Sequence, residues 1–268
     1  MDGNVSGAAT AGALPAIREV RRGEDAVGGA LYRNEEWESA HGGLVAGITG
    51  AGPGADYGLT TTPHPWALAE RLEALSGRLG MPVVVMVRQV HGRRIIPIGS
   101  APPPGLLLTG EGDGLVCRER GVLLVVTAAD CVPVYLLDPA TGSIALLHAG
   151  WKGAAGGVLE AGIEALSREA GSRREELWLH MGPAICGRCY EVGPDVLRAF
   201  GLPEEESAHL DIRRELGRRA RAAGISAERM SASPWCTRCS GDQFHSHRGM
   251  RGRAGRMAAF LGWRLSEG

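Results

Sequence analysis

The sequence predicts an α/β (α+β) fold in a single compact domain, with mixed β-sheets flanked by helices, and three observations carry that reading. Four short β-type runs crowd into residues 113–148, separated by Gly, Asp or Pro. Helical periodicity appears on either side of them, at residues 65–78 and 153–170. No repeat of fixed period and no long linker divides the 268 residues, and 44% hydrophobic content is enough to fill one large core.

The elements follow in order. Residues 1–42 read as a flexible N-terminal tail and lead-in, and residues 43–268 as the domain. The first residues, MDGNVSGAATAGALPA, have neither a basic start nor a sustained apolar stretch, so they make a poor signal peptide. Residues 43–49 (GLVAGIT) form a short strand, followed by a glycine-rich loop at 50–58. Residues 65–78 (PWALAERLEALSGR) carry apolar side chains at helical spacing with proline at the start, where its missing N–H costs nothing. Residues 82–90 (PVVVMVRQV) are rich in β-branched side chains and predict a buried strand, and 94–98 a further one. APPPG at 101–105 is a loop.

Strands are expected at 113–117, 122–127, 132–137 and 143–148. Residues 153–170 then predict a helix with a first turn loosened by Gly156 and Gly157. A strand at 177–182, a short helix at 194–200 and a charged, exposed helix at 211–223 follow. Residues 254–263 (AGRMAAFLGW) fit either helix or strand.

Charge and cysteine usage exclude several roles. A formal net charge of -1 gives no field to recruit nucleic acid or an acidic membrane, and no apolar run approaches the ~20 residues of a membrane helix. A cytoplasmic location is expected, with six cysteines suited to metal or packing before disulfides. Four of them form two Cys-x-x-Cys pairs, Cys186/Cys189 and Cys236/Cys239. The gap between the pairs exceeds the ~15–20 residues of ordinary zinc ribbons, so packing is the favoured reading and a second metal the lesser one.

Three metal-ligating residues stand at predicted strand ends: His91, Cys131 and His148. Two imidazoles and a thiolate suit zinc, and three protein ligands leave the fourth tetrahedral position open, as in a catalytic site. The same atoms allow another chemistry, in which Cys131 is a nucleophile activated by a histidine, with Asp130 orienting the base. The spacing leaves both open, and equally a buried cysteine with two incidental histidines. Lys152, the only lysine in the chain, precedes Gly153, where a helix start would offer N–H groups to an anion or simply pack closely on a sheet.

The motifs RQVHG (88–92), EGDGLV (111–116), TAADCVPVYLLD (127–138), LLHAGWKG (146–153), MGPAICGRCYEVG (181–193) and CTRC…FHSHR…GRMA (236–258) occur in this order. Together they resemble the laccase-domain, YfiH-like family, known both as multicopper polyphenol oxidases and as purine nucleoside phosphorylases. The resemblance is strong from residue 83 to 263. Before that the chain has GITGAGPGADYGLTT, where the family usually carries an arginine, then Gly-Gly, then Asn-Leu.

The resemblance implies a mixed α/β fold with zinc on His91, Cys131 and His148. It implies phosphorolysis of adenosine, inosine, guanosine and methylthioadenosine, with adenosine deamination as a companion. Purine nucleosides and phosphate are then the partners, and the oligomeric state is left open. Cys131, Asp130 and Lys152 are the catalytic candidates, Asp130 as a proton shuttle for deamination. Lys152, Gly153 and Arg248 are the candidates for binding substrate or phosphate. Lys152 stands where the family has arginine, keeping the charge without the bidentate fork.

Two other enzymatic readings accompany these. One is an amidase, cysteine- or zinc-dependent, that edits peptidoglycan precursors. The other is a copper-dependent polyphenol oxidase, with copper in place of zinc. A full copper set needs several paired His-x-His motifs, and this chain has only His245-x-His247. A metal-binding partner protein without catalysis is the non-enzymatic alternative.

Overall fold

The computed structural model describes residues 14–24, 29–62, 64–204 and 206–266. The chain runs through β1 (Val20–Glu24), β2 (Ala30–Arg33), α1 (Glu35–Ala40), β3 (Leu44–Thr49), α2 (Pro65–Leu79), β4 (Val83–Arg88), β5 (Ile95–Ile98), β6 (Gly105–Glu111), β7 (Gly114–Cys117), β8 (Val122–Ala128) and β9 (Val132–Asp138). It continues through β10 (Ser143–Ala149), α3 (Trp151–Gly156), α4 (Val158–Ala170), β11 (Trp178–Met181), β12 (Glu191–Val192), α5 (Pro194–Ala199), β13 (Ala208–His209), α6 (Ile212–Ala222), β14 (Met230–Ala232) and β15 (Met257–Trp263).

Thirteen of the strands form two mixed sheets, in the orders β1-β2-β3-β15-β8-β4-β6 and β14-β11-β9-β10-β7-β5. Their facing surfaces share one core, to which Ile48, Val85, Leu124 and Ala259 come from the first sheet and Leu115, Tyr135, Leu137 and Leu146 from the second. Tyr135 is fixed across this interface by donating its hydroxyl hydrogen to the carbonyl of Gly47 at 2.8 Å. Helix α2 packs its Leu68, Leu72, Leu75 and Leu79 on the outer face of the first sheet. Helices α4 and α6 cover the outer face of the second. The order helix, sheet, sheet, helix explains why β4, β8, β9 and β10 read as nearly unbroken apolar runs: both faces of each are covered.

Several elements differ from expectation. Residues 1–13 lie outside the described part, but the described remainder of the stretch read as tail and lead-in belongs to the fold. There β2 pairs with β3, and Glu19 is buried against His180 at 2.8 Å. Residues 257–263 resolve as a strand, flanked by β3 and β8, where Gly262 lets Val122 and Met81 approach closer than a Cβ would allow. The helix expected over 153–170 is two helices, broken where Gly157 takes a left-handed φ of 95°. Helix α6 is not simply exposed. It buries Ile212, Leu216 and Ala220, and its Arg213 guanidinium donates to the carbonyls of Ser233 and Trp235.

Candidate metal centre and cavity

The chain crosses from the first sheet to the second between β8 and β9, and Cys131 sits on that crossing. His91 lies just past the end of β4, and His148 near the end of β10. One ligand atom from each lies within 4.8 Å of the other two, and the two imidazoles meet edge to face with centroids 4.9 Å apart. Strand ends from both sheets therefore converge as the sequence suggests. Gln89 helps to fix the rims: its amide nitrogen donates to the Thr127 carbonyl at 2.7 Å, and its oxygen accepts from the Thr127 N–H and hydroxyl.

Two backbone conformations here are unusual. His91 has φ 57° and Asp130 has φ 83°, values that non-glycine residues rarely adopt. Asp113 accounts for the first. Its fully buried carboxylate accepts from the N–H groups of Val90, His91 and Gly92 at 3.3, 2.9 and 2.6 Å, and so holds the turn that presents the His91 ring.

The same carboxylate accepts from Nδ1 of His148 at 2.9 Å, which leaves Nε2 as the ring nitrogen available to a metal. Burial opposes the Asp113 charge, but the His148 and Gly92 hydrogen bonds outweigh it and hold the carboxyl below its ordinary range. The EGDGLV motif marks Asp113 in the sequence without revealing this role. A single acid between glycines at a strand start was the available signal.

Gly150 is a second residue that sequence reasoning missed. A Cβ there would lie 2.9 Å from Cδ2 of His91 and 3.0 Å from Sγ of Cys131, so only glycine leaves the ligands room. Gly153 is buried, and its Cβ would meet the Gly92 carbonyl at 2.7 Å, which lets α3 pack on the His91 turn.

The donor set fits zinc. Burial disfavours the Cys131 thiolate, yet the neighbouring His148 charge and hydrogen bonds from His148 and His91 overcome it and bring the thiol down to about 6. A thiolate and two imidazoles, one of them braced by a carboxylate, then face a common point.

These ligands open onto a cavity of about 670 Å³. Its walls include Leu59, Val90, Trp151 and Tyr190, and its cations are Arg88, Arg248 and Arg256. The Arg248 guanidinium lies 5.2 Å from the Tyr190 ring centroid and donates to the Glu191 carbonyl. Asp130 also lines the cavity, but its two oxygens accept from the Thr237 hydroxyl and the Arg248 N–H, both at 2.6 Å. Lys152 is exposed, with Nζ 5.5 Å from the Trp151 ring centroid, and neither it nor Gly153 lines the cavity.

The two histidines of His245-x-His247 part ways. His245 donates from Nε2 to the Ala55 carbonyl, and His247 lines the cavity rim. The two Cys-x-x-Cys pairs, read from sequence as packing, instead meet at the surface, with their four sulfurs within 4.8 Å of one another.

Residues 41–264 match the family model described as multi-copper polyphenol oxidoreductase laccase. The chain belongs to that family. Within it, the chain is 37% identical to a Deinococcus radiodurans protein named purine nucleoside phosphorylase, over 83% of this chain and 88% of that one. It is 34% identical to adenosine deaminase RL5, from an unknown prokaryotic organism, over 65% of this chain and 72% of that one. The YlmD structure from Geobacillus stearothermophilus superposes with a TM-score of 0.80 at 28% identity, covering 94% of this chain and 100% of that one. Among the described residues, no helix of this family member is long and apolar enough to cross a membrane.

Proposed function

We propose that this chain is a purine nucleoside phosphorylase with zinc on His91, Cys131 and His148, and with adenosine deamination as a companion reaction. The observation that carries the reading is the convergence of these three ligands on a cavity that combines aromatic walls with three arginines. The names of the Deinococcus and RL5 relatives supply the two reactions.

In this reading the flat faces of Tyr190 and Trp151 take the purine, and the arginines take phosphate beside the anomeric carbon. Arg248, a candidate from sequence, is joined by Arg88 and Arg256 in that role. A guanidinium grips phosphate through two parallel N–H donors, which compensates for a lysine at position 152. Lys152 contributes positive charge from outside the cavity, and Gly153 acts through packing. Zinc, when bound, supplies a Lewis acid that polarises an oxygen or lowers the pKa of a water toward about 7. Asp113 fixes the tautomer and direction of His148. Asp130 anchors Arg248 through its backbone N–H, and as a carboxylate at the cavity wall it remains the candidate proton shuttle for deamination.

The test is a product assay on metal-quantified protein. Adenosine is incubated with and without phosphate, and adenine, inosine, hypoxanthine and ribose 1-phosphate are separated. Phosphate-dependent adenine and ribose 1-phosphate are expected, reduced at least ~100-fold in His148→Ala. Inosine formed without phosphate establishes the companion deamination. Zinc-loaded protein that turns over no nucleoside overturns the proposal and returns the choice to a precursor amidase.

A further inference from the structure

Outside the cavity's ligand set, a second cluster of metal-ligating side chains stands on two surface loops. Cys186 and Cys189 lie on the turn after β11, and Cys236 and Cys239 on the turn after β14. The strands β11 and β14 run parallel and hydrogen-bonded, and an isolated bridge from Ala184 to Cys236 extends that pairing to the turns themselves. The sequence gap between the pairs, long for a zinc ribbon, is therefore closed by the sheet.

We propose that Cys186, Cys189, Cys236 and Cys239 form a second, structural zinc site that fastens the wall of the cavity. All four sulfurs lie within 4.8 Å of one another, with Cys186 to Cys239 at 4.0 Å and Cys189 to Cys239 at 3.2 Å. Zinc–thiolate bonds of about 2.3 Å set tetrahedron edges of roughly 3.8 Å, so small side-chain adjustments seat the ion. The turns have the form such sites need. The Cys189 N–H donates to the Cys186 carbonyl and the Ser240 N–H to the Cys236 carbonyl, both at 2.9 Å. The N–H groups of Cys186 and Cys239 point at the Cys236 sulfur from 3.3 and 3.4 Å.

Core packing accounts for Cys236 alone, which is buried; Cys239 is exposed and Cys186 and Cys189 are only partly buried. Four thiolates around a divalent ion leave two negative charges. Each turn carries one arginine just before its second cysteine, Arg188 in CGRC and Arg238 in CTRC. Arg238 also donates to the Cys189 carbonyl at 3.1 Å, tying one turn to the other.

The site's purpose follows from its neighbours. Ile185 donates its N–H to the Asp130 carbonyl at 3.1 Å, and the Thr237 hydroxyl donates to the Asp130 carboxylate. Tyr190, next to Cys189, lines the cavity. An ion on the four sulfurs would hold both loops against the segment that carries Cys131. This inference is independent of which reaction the cavity performs.

The test counts metal by mass spectrometry in protein purified under reducing conditions. Two zinc ions per wild-type chain are expected, with one in Cys131→Ser and one in Cys186→Ser/Cys239→Ser. Should the double variant fail to fold, the unaltered protein is refilled with cobalt(II). The strong sulfur-to-cobalt charge-transfer absorption of a tetrathiolate is then expected, and it persists in Cys131→Ser. One zinc in the wild type and none in Cys131→Ser overturns the proposal. So does a Cys189–Cys239 disulfide, or cobalt absorption that disappears with Cys131.

Discussion

The three-ligand group and the four-cysteine group hold their atoms at similar separations by opposite means. His91, Cys131 and His148 stand on the rims of two packed sheets, with a fully buried carboxylate bonded to one ring and to three N–H groups beside the other. The cysteine pairs stand on turns whose cross-connections are a bridge, one N–H···S contact and one arginine. The first group is held by packed strands and a buried carboxylate, the preorganisation a catalytic site needs. On the proposed zinc reading the second, although the sheet brings its turns together, depends more on its ion for rigidity, as structural zinc sites do. The contrast can be broken at either end.

The largest effect is expected from Asp113→Asn. The amide keeps the size but removes the charge, and it turns one acceptor toward N–H donors as a competing donor. Loss of such a carboxylate partner costs about 10–100-fold in metal affinity or activity. Competition with a chelator measures the affinity and kcat/KM the activity. Unchanged zinc affinity would show that the backbone alone holds the site, and the comparison between the two groups would lose its basis.

Gly150→Ala comes next. The backbone at Gly150, φ -71° and ψ 169°, suits alanine, so any effect arises from the new methyl against His91 and Cys131. We expect about a 10-fold fall in kcat/KM, roughly 1.4 kcal/mol, with little change in thermal stability. Gly156→Ala is the control, since its Cβ meets nothing within 4 Å and alanine favours the helix. A Gly150→Ala enzyme as active as the control would mean that the ligands do not need the space.

Legibility differed between fold and site for physical reasons. Apolar runs such as 83–88 and 132–138 announce buried strands because burial on two faces demands them. The 254–263 stretch fits either period, since its apolar run is too short to discriminate, and only pairing of its last seven residues with β3 and β8 decides. The candidate ligands His91, Cys131 and His148 stand out through their motifs, the spacing alone being undiagnostic. Asp113 and Gly150 act through contacts that no local pattern encodes: one joins residues 90–92 to His148, and the other works by leaving space. Lys152 stands out in the sequence as the lone lysine; Arg88 in RQVHG and Arg256 in GRMA lie inside the motifs, but nothing in the sequence places them beside the same cavity.

The smallest effect concerns pH, and it sharpens the claim that the fold alone builds the first group. In the metal-free protein, burial opposes charge on Cys131 and His148, yet each supports the other's. The thiol falls to about 6, and His148, helped also by Asp113, rises to about 9. The Cys131 value lies below its ordinary 9.0, so its contribution to stability is full above that pH and is lost as pH falls through about 6. The His148 value lies above its ordinary 6.5, so its contribution is full below that pH and is lost as pH rises through about 9. Between about 6.5 and 9 the thiol contribution rises with pH as the His148 contribution falls, so the two nearly cancel and the melting temperature of the metal-free protein should change little with pH. In Cys131→Ser the rising contribution of the thiol is gone, so the balance is lost and melting temperature should fall with rising pH wherever Asp113 still holds His148 charged. Identical profiles for the two proteins would mean that the metal-free fold does not bring the pair together, and that this group, like the cysteine cluster, waits for its ion.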